Sequence, residues 1–266
     1  MRLERRDQLA EVVLTGPGKG NAMGPDLWRE LPQLFGLLCR DEKVRVVVLR
    51  GEGKHFTYGL DLPAMMKDLA PTLSGGTAKN RTALHDLVLT LQGAIGSVEA
   101  CRKPVVAAIS GWCIGGGLDL AAACDVRLCS ADARFSLREA KVAMVADLGS
   151  LQRLPRIIGE GHARELALAA KDIDAQRALR IGLVNDVFDT PEALLEGARL
   201  LASEIAQNPP IVVQGVKRVM NECRDLTVSE GLKYVAAWNA AFLPSRDLGE
   251  AMTAFLEKRA PKFVGE

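Results

Sequence analysis

Three consecutive glycines, Gly115 to Gly117, lie between two apolar stretches in the middle of the chain. Residues 104–110 before them are apolar and rich in Val and Ile, which predicts a buried strand, and the small apolar residues 118–124 predict a close-packed helix. Three glycines cost backbone entropy, so we expect them where the chain needs unusual dihedrals or lets a ligand approach its backbone. Free amides at the start of the helix predict a site for an anion, or for a carbonyl oxygen that becomes one.

The order of apolar strand, glycine-containing turn and helix recurs along the chain. Strands are predicted at four apolar runs, around Val12, Val44, Val105 and Val126. Residues 54–62 predict a strand edge that turns at Gly59, and a long helix is expected at about residues 80–99. Strands that alternate with helical connections predict an α/β protein with mostly parallel pairing.

The remaining segments are a loop and a helical final third. Residues 67–79 are rich in Pro, Ser, Gly and Thr, which predicts a surface loop. Helices are predicted at residues 161–170, 175–181, 192–207 and 212–221 and twice more after them, with a short strand at 183–188. The prolines of Asn208-Pro209-Pro210 predict a hinge, which divides the chain into a core of residues 1–207 and a helical region of residues 208–266.

Charge and cysteine usage narrow the class of protein. The 266 residues carry 34 Lys and Arg against 33 Asp and Glu, a net charge of +1, so no strong field indicates nucleic acid or an acidic membrane. Six cysteines form no CxxC pair and lie mostly in apolar runs, which indicates buried thiols in a reducing compartment. Because residues 1–7 lack a hydrophobic signal region and no apolar run could span a bilayer, a cytoplasmic location is expected.

Several familiar motifs are missing. The glycine and lysine residues of 16–20 and 51–55 do not have the GxxxxGK[ST] spacing, and residues 111–117 are not GxGxxG, so neither phosphate-loop nor Rossmann chemistry is supported. The histidines, His55, His85 and His162, have no metal-ligand spacing, and Ser110 is not in a GxSxG elbow. We therefore expect no metal and no bound cofactor.

Three carboxylates follow the glycines. Asp119 has apolar neighbours, Glu139 follows a predicted strand, and Asp147 precedes Leu148-Gly149-Ser150. Taken singly, they could be a helix N-terminal acid, a solvated surface acid and an N-cap, respectively. Together beside an amide-lined anion site, they indicate proton transfer next to a stabilised oxyanion, with burial and mutual repulsion separating their pKa values.

The chain resembles the enoyl-CoA hydratase/isomerase (crotonase) superfamily. The resemblance spans nearly the whole sequence and rests on the segments 21–23, 51–62, 103–117, 124–125, 154–159, 178–184 and 255–259. The family resemblance implies a spiral of repeated ββα units with a helical C-terminal region that serves oligomerisation, as homotrimers or dimers of trimers. It also implies an acyl-CoA thioester as substrate, so that coenzyme A enters only as part of that substrate.

The resemblance further implies an oxyanion hole made by the Leu60 and Gly116 amides. Substrate contacts are expected from the residues around those amides: Tyr58, Gly59, Asp61, Leu62, Gly115 and Gly117. Tyr58 stands where the family usually has a small residue, so we expect it to narrow or reshape the acyl pocket. Lys258, Arg259 and Lys262 are candidates for contacts to the CoA phosphates, with a solvated basic helix end as the alternative.

The acids resemble those of the Δ3,5-Δ2,4-dienoyl-CoA isomerase branch. Hydratases of this superfamily carry two glutamates where this chain has Asp119 and Glu139. The resemblance implies that Glu139 takes a proton from C2, that Asp147 returns one at C6, and that Asp119 orients or polarises the pocket.

Two other functions remain as alternatives. In the first, the chain is a 2-enoyl-CoA hydratase that uses Asp119 and Glu139. In the second, it is a non-catalytic acyl-CoA-binding scaffold, a reading disfavoured by the retention of all three acids.

Overall fold

The computed structural model describes residues 1–18, 20–74 and 76–266, in which two sheets are surrounded by helices. The strands are β1 (Arg2–Arg6), β2 (Leu9–Leu14), β3 (Val46–Gly51), β4 (Val105–Ile109), β5 (Trp112–Ile114), β6 (Val126–Ser130), β7 (Arg134–Ser136), β8 (Asp172–Asp174) and β9 (Asp186–Phe188). The α-helices are α1 (Pro25–Arg40), α2 (Leu62–Leu73), α3 (Ala78–Ala100), α4 (Gly116–Ala122), α5 (Ser150–Ala169), α6 (Ala175–Arg180), α7 (Pro191–Ala206), α8 (Pro210–Glu222), α9 (Val228–Phe242) and α10 (Arg246–Glu257).

The larger sheet has the strand order β1-β2-β3-β4-β6-β9. Its first pair is antiparallel and the other four pairs are parallel, as the alternation of strands and helices predicts. Strand β4 and residues 46–49 of β3 are apolar because helices cover both faces of the sheet there. Val47 and Leu49 belong to the core under α1 and α3, whereas Val46 and Val48 face α7.

The smaller sheet brings the glycine segment beside the segment that carries Glu139. Strand β5, which leads into the glycines, pairs in parallel with β7, with Ile114 opposite Ser136. Strand β8 adds to β7 in antiparallel orientation. Since parallel strands end at the same edge of a sheet, the residues after Ile114 and after Ser136 emerge next to each other.

The helices after residue 207 leave many apolar side chains exposed. Helix α7 packs on the larger sheet. Of the predicted hinge, Asn208 and Pro209 lie between α7 and α8, and Pro210 is the first residue of α8. Helix α9 has no buried residue, and the exposed apolar side chains of α8 to α10 include Met220, Val228, Leu232, Met252, Phe255 and Leu256. An oligomerisation role for residues 208–266 stays a prediction that this surface favours.

Three segments differ from the sequence-based prediction. Residues 67–79, predicted as a loop, lie largely in α2 and α3, except that Gly75 is outside the described residues. Residues 54–62 are not a strand; isolated bridges join Thr57 to Cys113 and Leu60 to Met23. The helix predicted at 161–170 is the second half of α5, which begins at Ser150 and bends where Gly159 has φ 77°.

Two chemical expectations can be compared with the structure. Four of the six cysteines are buried, Cys101, Cys113, Cys124 and Cys129, and all six are free thiols. Within the described part of the chain, no helix has the length and apolar character needed to cross a membrane.

Candidate active site

Backbone conformation at Gly115 and close packing at Gly117 both favour glycine in this turn. Gly115 has φ 51° and ψ −119°, a conformation that L side chains rarely adopt, and its N–H donates to Ser136 O at 2.9 Å. A Cβ on Gly117 would lie 2.4 Å from Thr57 Cγ2. The start of α4 therefore packs directly on the segment around Thr57.

Thr57 fixes the second segment that borders the site. Its hydroxyl donates to Asn21 O at 2.7 Å and accepts from Gly59 N at 3.0 Å. Met23 binds the backbone on both sides of Leu60, since Met23 N donates to Gly59 O and Asp61 N donates to Met23 O. Leu60 lies between these two bonds, so its own N–H points away from Met23.

The two amides predicted as an oxyanion hole lie in adjoining backbone segments. A Cβ built on Gly59 would be 3.4 Å from Gly116 N. Among the described residues, no backbone or side-chain acceptor binds the N–H of Leu60 or of Gly116. Two fixed donors without an internal acceptor form a local geometry suited to an oxygen that gains negative charge.

Asp119 is buried and is held by a different helix from its own. It lies in the first turn of α4, is 1 % exposed, and its Oδ1 accepts from Ser150 N, the first residue of α5, at 2.5 Å. Its Oδ2 is buried and has no partner among the described residues. Burial raises the pKa of Asp119 to about 6, although the Ser150 side chain and N–H oppose that rise.

Glu139 stands directly over the glycine turn. Its Oε1 lies 2.9 Å from the position that a Cβ on Gly115 would take, and its Oε2 is buried without a partner among the described residues. Burial is the main cause that raises the pKa of Glu139 to about 7, and the charges of Asp119 and Asp147 add to it. Such a carboxylate is a stronger base than a solvated glutamate.

Asp147 lies at the exposed side of the same region. Its backbone carbonyl accepts from Gln92 Nε2 of α3 at 2.6 Å, and partial burial raises the pKa of its carboxyl. It is not an N-cap, because the N-cap position of α5 belongs to Gly149. The structure thus brings the three predicted acids to one region, with Asp119 deepest and Asp147 nearest to solvent.

An apolar cavity of about 470 Å³ opens beside Glu139 and Ser150. Most of its wall is apolar and comes from residues 137–146 and from α5: Leu137, Met144, Val145, Ala146, Leu151, Leu154, Ala163 and Leu168. Glu139 and Ser150 place polar groups on this wall, and Glu160 and Arg164 lie farther along α5. Of the three acids only Glu139 lines this cavity, whereas Asp147 lines a separate, more polar cavity beside Gln92 and Arg153. The apolar space suits a hydrocarbon chain with one reacting carbon against Glu139.

Other predicted contact residues occupy different positions. Tyr58 is 43 % exposed, its ring lies against Gly20, and its hydroxyl is 3.2 Å from His55 Nε2; it does not line the apolar cavity. Asp61 is the N-cap of α2, where its Oδ1 accepts from Ala64 N at 3.1 Å. Leu62 is 41 % exposed at the start of that helix.

The C-terminal basic residues have partners of their own. Arg259 forms ion pairs with Glu250 and Glu257, and Lys262 N donates to Glu250 Oε1. Lys258 is the C-cap of α10, with φ 55°. A phosphate contact from these three residues stays a prediction, and the Arg259 pairs favour the alternative of a basic helix end.

Sequence reasoning did not single out three residues that shape the site. Thr57 positions the Leu60 segment, Gln92 holds the Asp147 carbonyl, and Ser150 binds Asp119 through its amide. Each contact joins residues that are distant in sequence or uses a backbone atom, so composition and periodicity contain no signal for it. Among the described residues, no cluster of three or more His, Cys, Asp or Glu side chains could hold a metal ion.

Comparison with known proteins gives the class of this chain. A family model described as Enoyl-CoA hydratase/isomerase matches residues 4–266. The chain therefore belongs to the enoyl-CoA hydratase/isomerase family. The predicted fold is confirmed by a solved structure described as a putative enoyl-CoA hydratase from Streptomyces coelicolor, which superposes with a TM-score of 0.91 at 32 % identity and covers 100 % of this chain and 94 % of its own.

Two relatives with more specific names resemble the chain along nearly its whole length. The mitochondrial Δ(3,5)-Δ(2,4)-dienoyl-CoA isomerase of Dictyostelium discoideum is 46 % identical, over 99 % of this chain and 90 % of that protein. The peroxisomal protein of the same name from Arabidopsis thaliana is 42 % identical, over 95 % of this chain and 91 % of that protein.

Proposed function

We propose that the protein is a Δ3,5-Δ2,4-dienoyl-CoA isomerase, in which carboxylates move a proton along a conjugated acyl chain. The observation that carries the proposal is the third acid. Asp147 is close enough to Glu139 for its charge to raise the Glu139 pKa, although hydration chemistry at C2 and C3 needs only two acids. The names of the two relatives support the same reaction.

Glu139 acts first as the base that removes a proton from C2. A pKa of about 7 leaves a useful fraction ionised at neutral pH and makes the carboxylate more basic than in water. As the C–H bond breaks, negative charge passes to the thioester oxygen, which the Leu60 and Gly116 amides stabilise. The loss of one such donor typically raises the barrier by about 3 kcal/mol.

Asp147 then supplies a proton at C6. The burial that raises its pKa favours the protonated form that a donor needs. One C–H bond breaks at C2, one forms at C6, and the double bonds shift from positions 3 and 5 to positions 2 and 4. Glu139 then loses its proton to solvent and Asp147 regains one, which restores both acids for the next turnover. No electron or water is consumed, so this chemistry needs no metal or bound cofactor, and coenzyme A enters only with the substrate.

A 2-enoyl-CoA hydratase is the second candidate. Asp119 Oδ2 and Glu139 Oε2 are both buried and unpartnered among the described residues, as two groups that hold an attacking water would be. The solved structure from Streptomyces coelicolor is described as an enoyl-CoA hydratase. Against hydration, Asp119 is one methylene shorter than a glutamate and its other oxygen is bound to Ser150 N.

The test is a spectrophotometric assay with a 3,5-dienoyl-CoA and, separately, with a 2-enoyl-CoA. The proposal expects growth of 2,4-dienoyl absorbance from the first substrate and little loss of the second. Replacement Asp147→Asn should lower dienoyl isomerisation at least about 100-fold, since proton transfer by a positioned group contributes roughly 10²- to 10⁴-fold. Asp189→Asn, on an exposed turn before α7, is the matched control and should keep wild-type activity.

Each alternative gives a different pattern in the same assay. Rapid loss of the 2-enoyl-CoA without a dienoyl signal, unaffected by Asp147→Asn, would make the protein a hydratase. A scaffold would bind acyl-CoA but convert neither substrate.

We also propose that the chain assembles as a homotrimer or a dimer of trimers. The exposed apolar side chains of α8 to α10, among them Val228, Phe255 and Leu256, support an oligomeric contact in this region.

A cytoplasmic location stays a proposal supported by the free thiols, while the two relatives are named mitochondrial and peroxisomal. Fractionation of cells that express the native gene would decide among the three compartments.

A further inference from the structure

Ser150 is a buried residue at the junction of two helices and the apolar cavity. It is 0 % exposed, begins α5, and its N–H donates to Asp119 Oδ1 at 2.5 Å. Its hydroxyl makes no hydrogen bond among the described residues, and neither does Asp119 Oδ2. Asp119 and Ser150 are therefore joined by one hydrogen bond, while the Ser150 hydroxyl and Asp119 Oδ2 remain buried without partners. Buried polar atoms without a hydrogen bond are uncommon in folded proteins.

The charge state of Asp119 depends on burial, on Ser150 and on two charged neighbours, of which Arg153 favours the anion and Asp147 the neutral form. Burial favours its neutral form, while the Ser150 N–H and the N-terminus of the 20-residue helix α5 favour the anion. The Ser150 hydroxyl lies near enough to favour the anion as well, although no hydrogen bond of accepted geometry joins the two oxygens. Because a hydroxyl proton rotates freely and active-site bonds tighten when substrate binds, this contact can become a full hydrogen bond.

The charge of Asp119 in turn acts on Glu139. Of the two other acids, Asp119 raises the Glu139 pKa more than Asp147 does, and both Glu139 and Ser150 line the apolar cavity. An ionised Asp119 strengthens Glu139 as a base, whereas a neutral Asp119 removes that effect.

We propose that Ser150 is a positioning residue whose hydroxyl donates to Asp119 Oδ2 and keeps this carboxylate ionised beside Glu139 during turnover. The kinetic consequence of this inference rests on the proposed function, but the hydrogen bond itself involves only Asp119 and Ser150. Ser150 itself touches neither C2 nor C6 of the substrate.

The first experiment measures the Asp119 titration directly. In a Glu139→Gln background, which removes the coupled carboxylate, carbon NMR of the Asp119 carboxyl follows its pKa with Ser150 present and with Ser150→Ala. The alanine variant keeps the N–H that binds Asp119, so the fold and the first hydrogen bond persist. The expected result is a rise of about one pH unit, a tenfold change in proton affinity, and Ser150→Thr should restore the original value.

An unchanged Asp119 pKa in the alanine variant would overturn the proposal. A threonine variant that behaves like alanine would do the same, because the effect would then not belong to the hydroxyl. Ser203→Ala, on α7 at the opposite face of the larger sheet, is the matched control and should leave the Asp119 pKa unchanged.

The second experiment uses the otherwise native enzyme. Ser150→Ala should lower kcat about tenfold with little change in KM, and the acid limb of the kcat profile, which reports Glu139, should move to lower pH, because a neutral Asp119 no longer raises the Glu139 pKa. A purely structural role for Ser150 predicts no shift of that limb, which would count against the proposal. If the wild-type protein does not isomerise dienoyl-CoA but the NMR shift is found, the proposed function fails and the role of Ser150 stands.

Discussion

Replacement of Gly115 by alanine tests the position of Glu139 with a single methyl group. The new Cβ would lie 2.9 Å from Glu139 Oε1, whereas ordinary contact begins at 3.4 Å. The carboxylate must therefore retreat by about half an ångström. Because Gly115 has φ 51° and ψ −119°, the alanine also forces an L residue into an unfavourable backbone conformation.

Two separate effects follow from this geometry. The backbone conformation should cost about 1–3 kcal/mol of the free energy of unfolding. A misplacement of 1 Å at a reacting group can cost roughly 10²-fold in rate, so a shift of half that distance should lower kcat about tenfold. The change in kcat should exceed the change in KM, since the group that moves is the base and the apolar residues of the cavity wall are unchanged.

Urea unfolding and steady-state kinetics with a 3,5-dienoyl-CoA separate these effects. Gly53→Ala is the matched control, because Gly53 also has positive φ, at 68°, but a Cβ there would meet nothing within 4 Å. It should lower stability and leave kcat unchanged. A Gly115→Ala enzyme with wild-type kcat would refute the view that the Glu139 carboxylate over this turn is the catalytic base.

Three further predictions concern the pH dependence of activity, the pH dependence of stability, and assembly. Activity should rise with pH through about 7, because Glu139 must be ionised to accept a proton, and a pH-rate profile without this limb would contradict its role. Since the folded protein raises the Glu139 pKa from 4.5 to about 7, the free energy of unfolding should fall as pH rises across that interval, and Glu139→Gln should reduce this slope in urea titrations at several pH values. Phe255→Glu, at a side chain 80 % exposed on α10, should shift the mass measured by light scattering towards the monomer, while Glu257→Gln on the same helix should not.

The central strands of the main sheet could be predicted because most of their residues are apolar and buried. Val105 to Ile109 and Val126 to Ser130 are strands in the structure within a residue or two of the prediction, as a parallel sheet covered on both faces requires. Strand β1 was missed because Arg2 to Arg6 is mostly charged and lies at the exposed edge.

Residues 67–79 show how composition misleads. Pro, Ser, Gly and Thr in this stretch suggest a loop, yet Asp61 caps α2 and Thr77 caps α3 through side-chain oxygens that accept backbone N–H bonds. The two caps were the local signal for helices on either side.

The candidate site was predictable in its residue types but not in its contacts. The spacing of Asp119, Glu139 and Asp147 after the glycines indicated acids near an anion site, and the fold brings them together. That Asp119 binds the first amide of α5, 31 residues later, depends on how α4 and α5 pack, which no local pattern encodes.

The hydrogen bond from Ser150 N gives the Asp119 side chain a structural role beside its place among the acids. Its carboxylate accepts from the first amide of α5, and that helix forms much of the apolar cavity wall. A glutamate at this position would extend the carboxylate by one methylene towards that helix start. The bond to Ser150 N could then persist only if the first turn of α5 moved, so the residue at position 119 and the cavity wall are coupled through this contact.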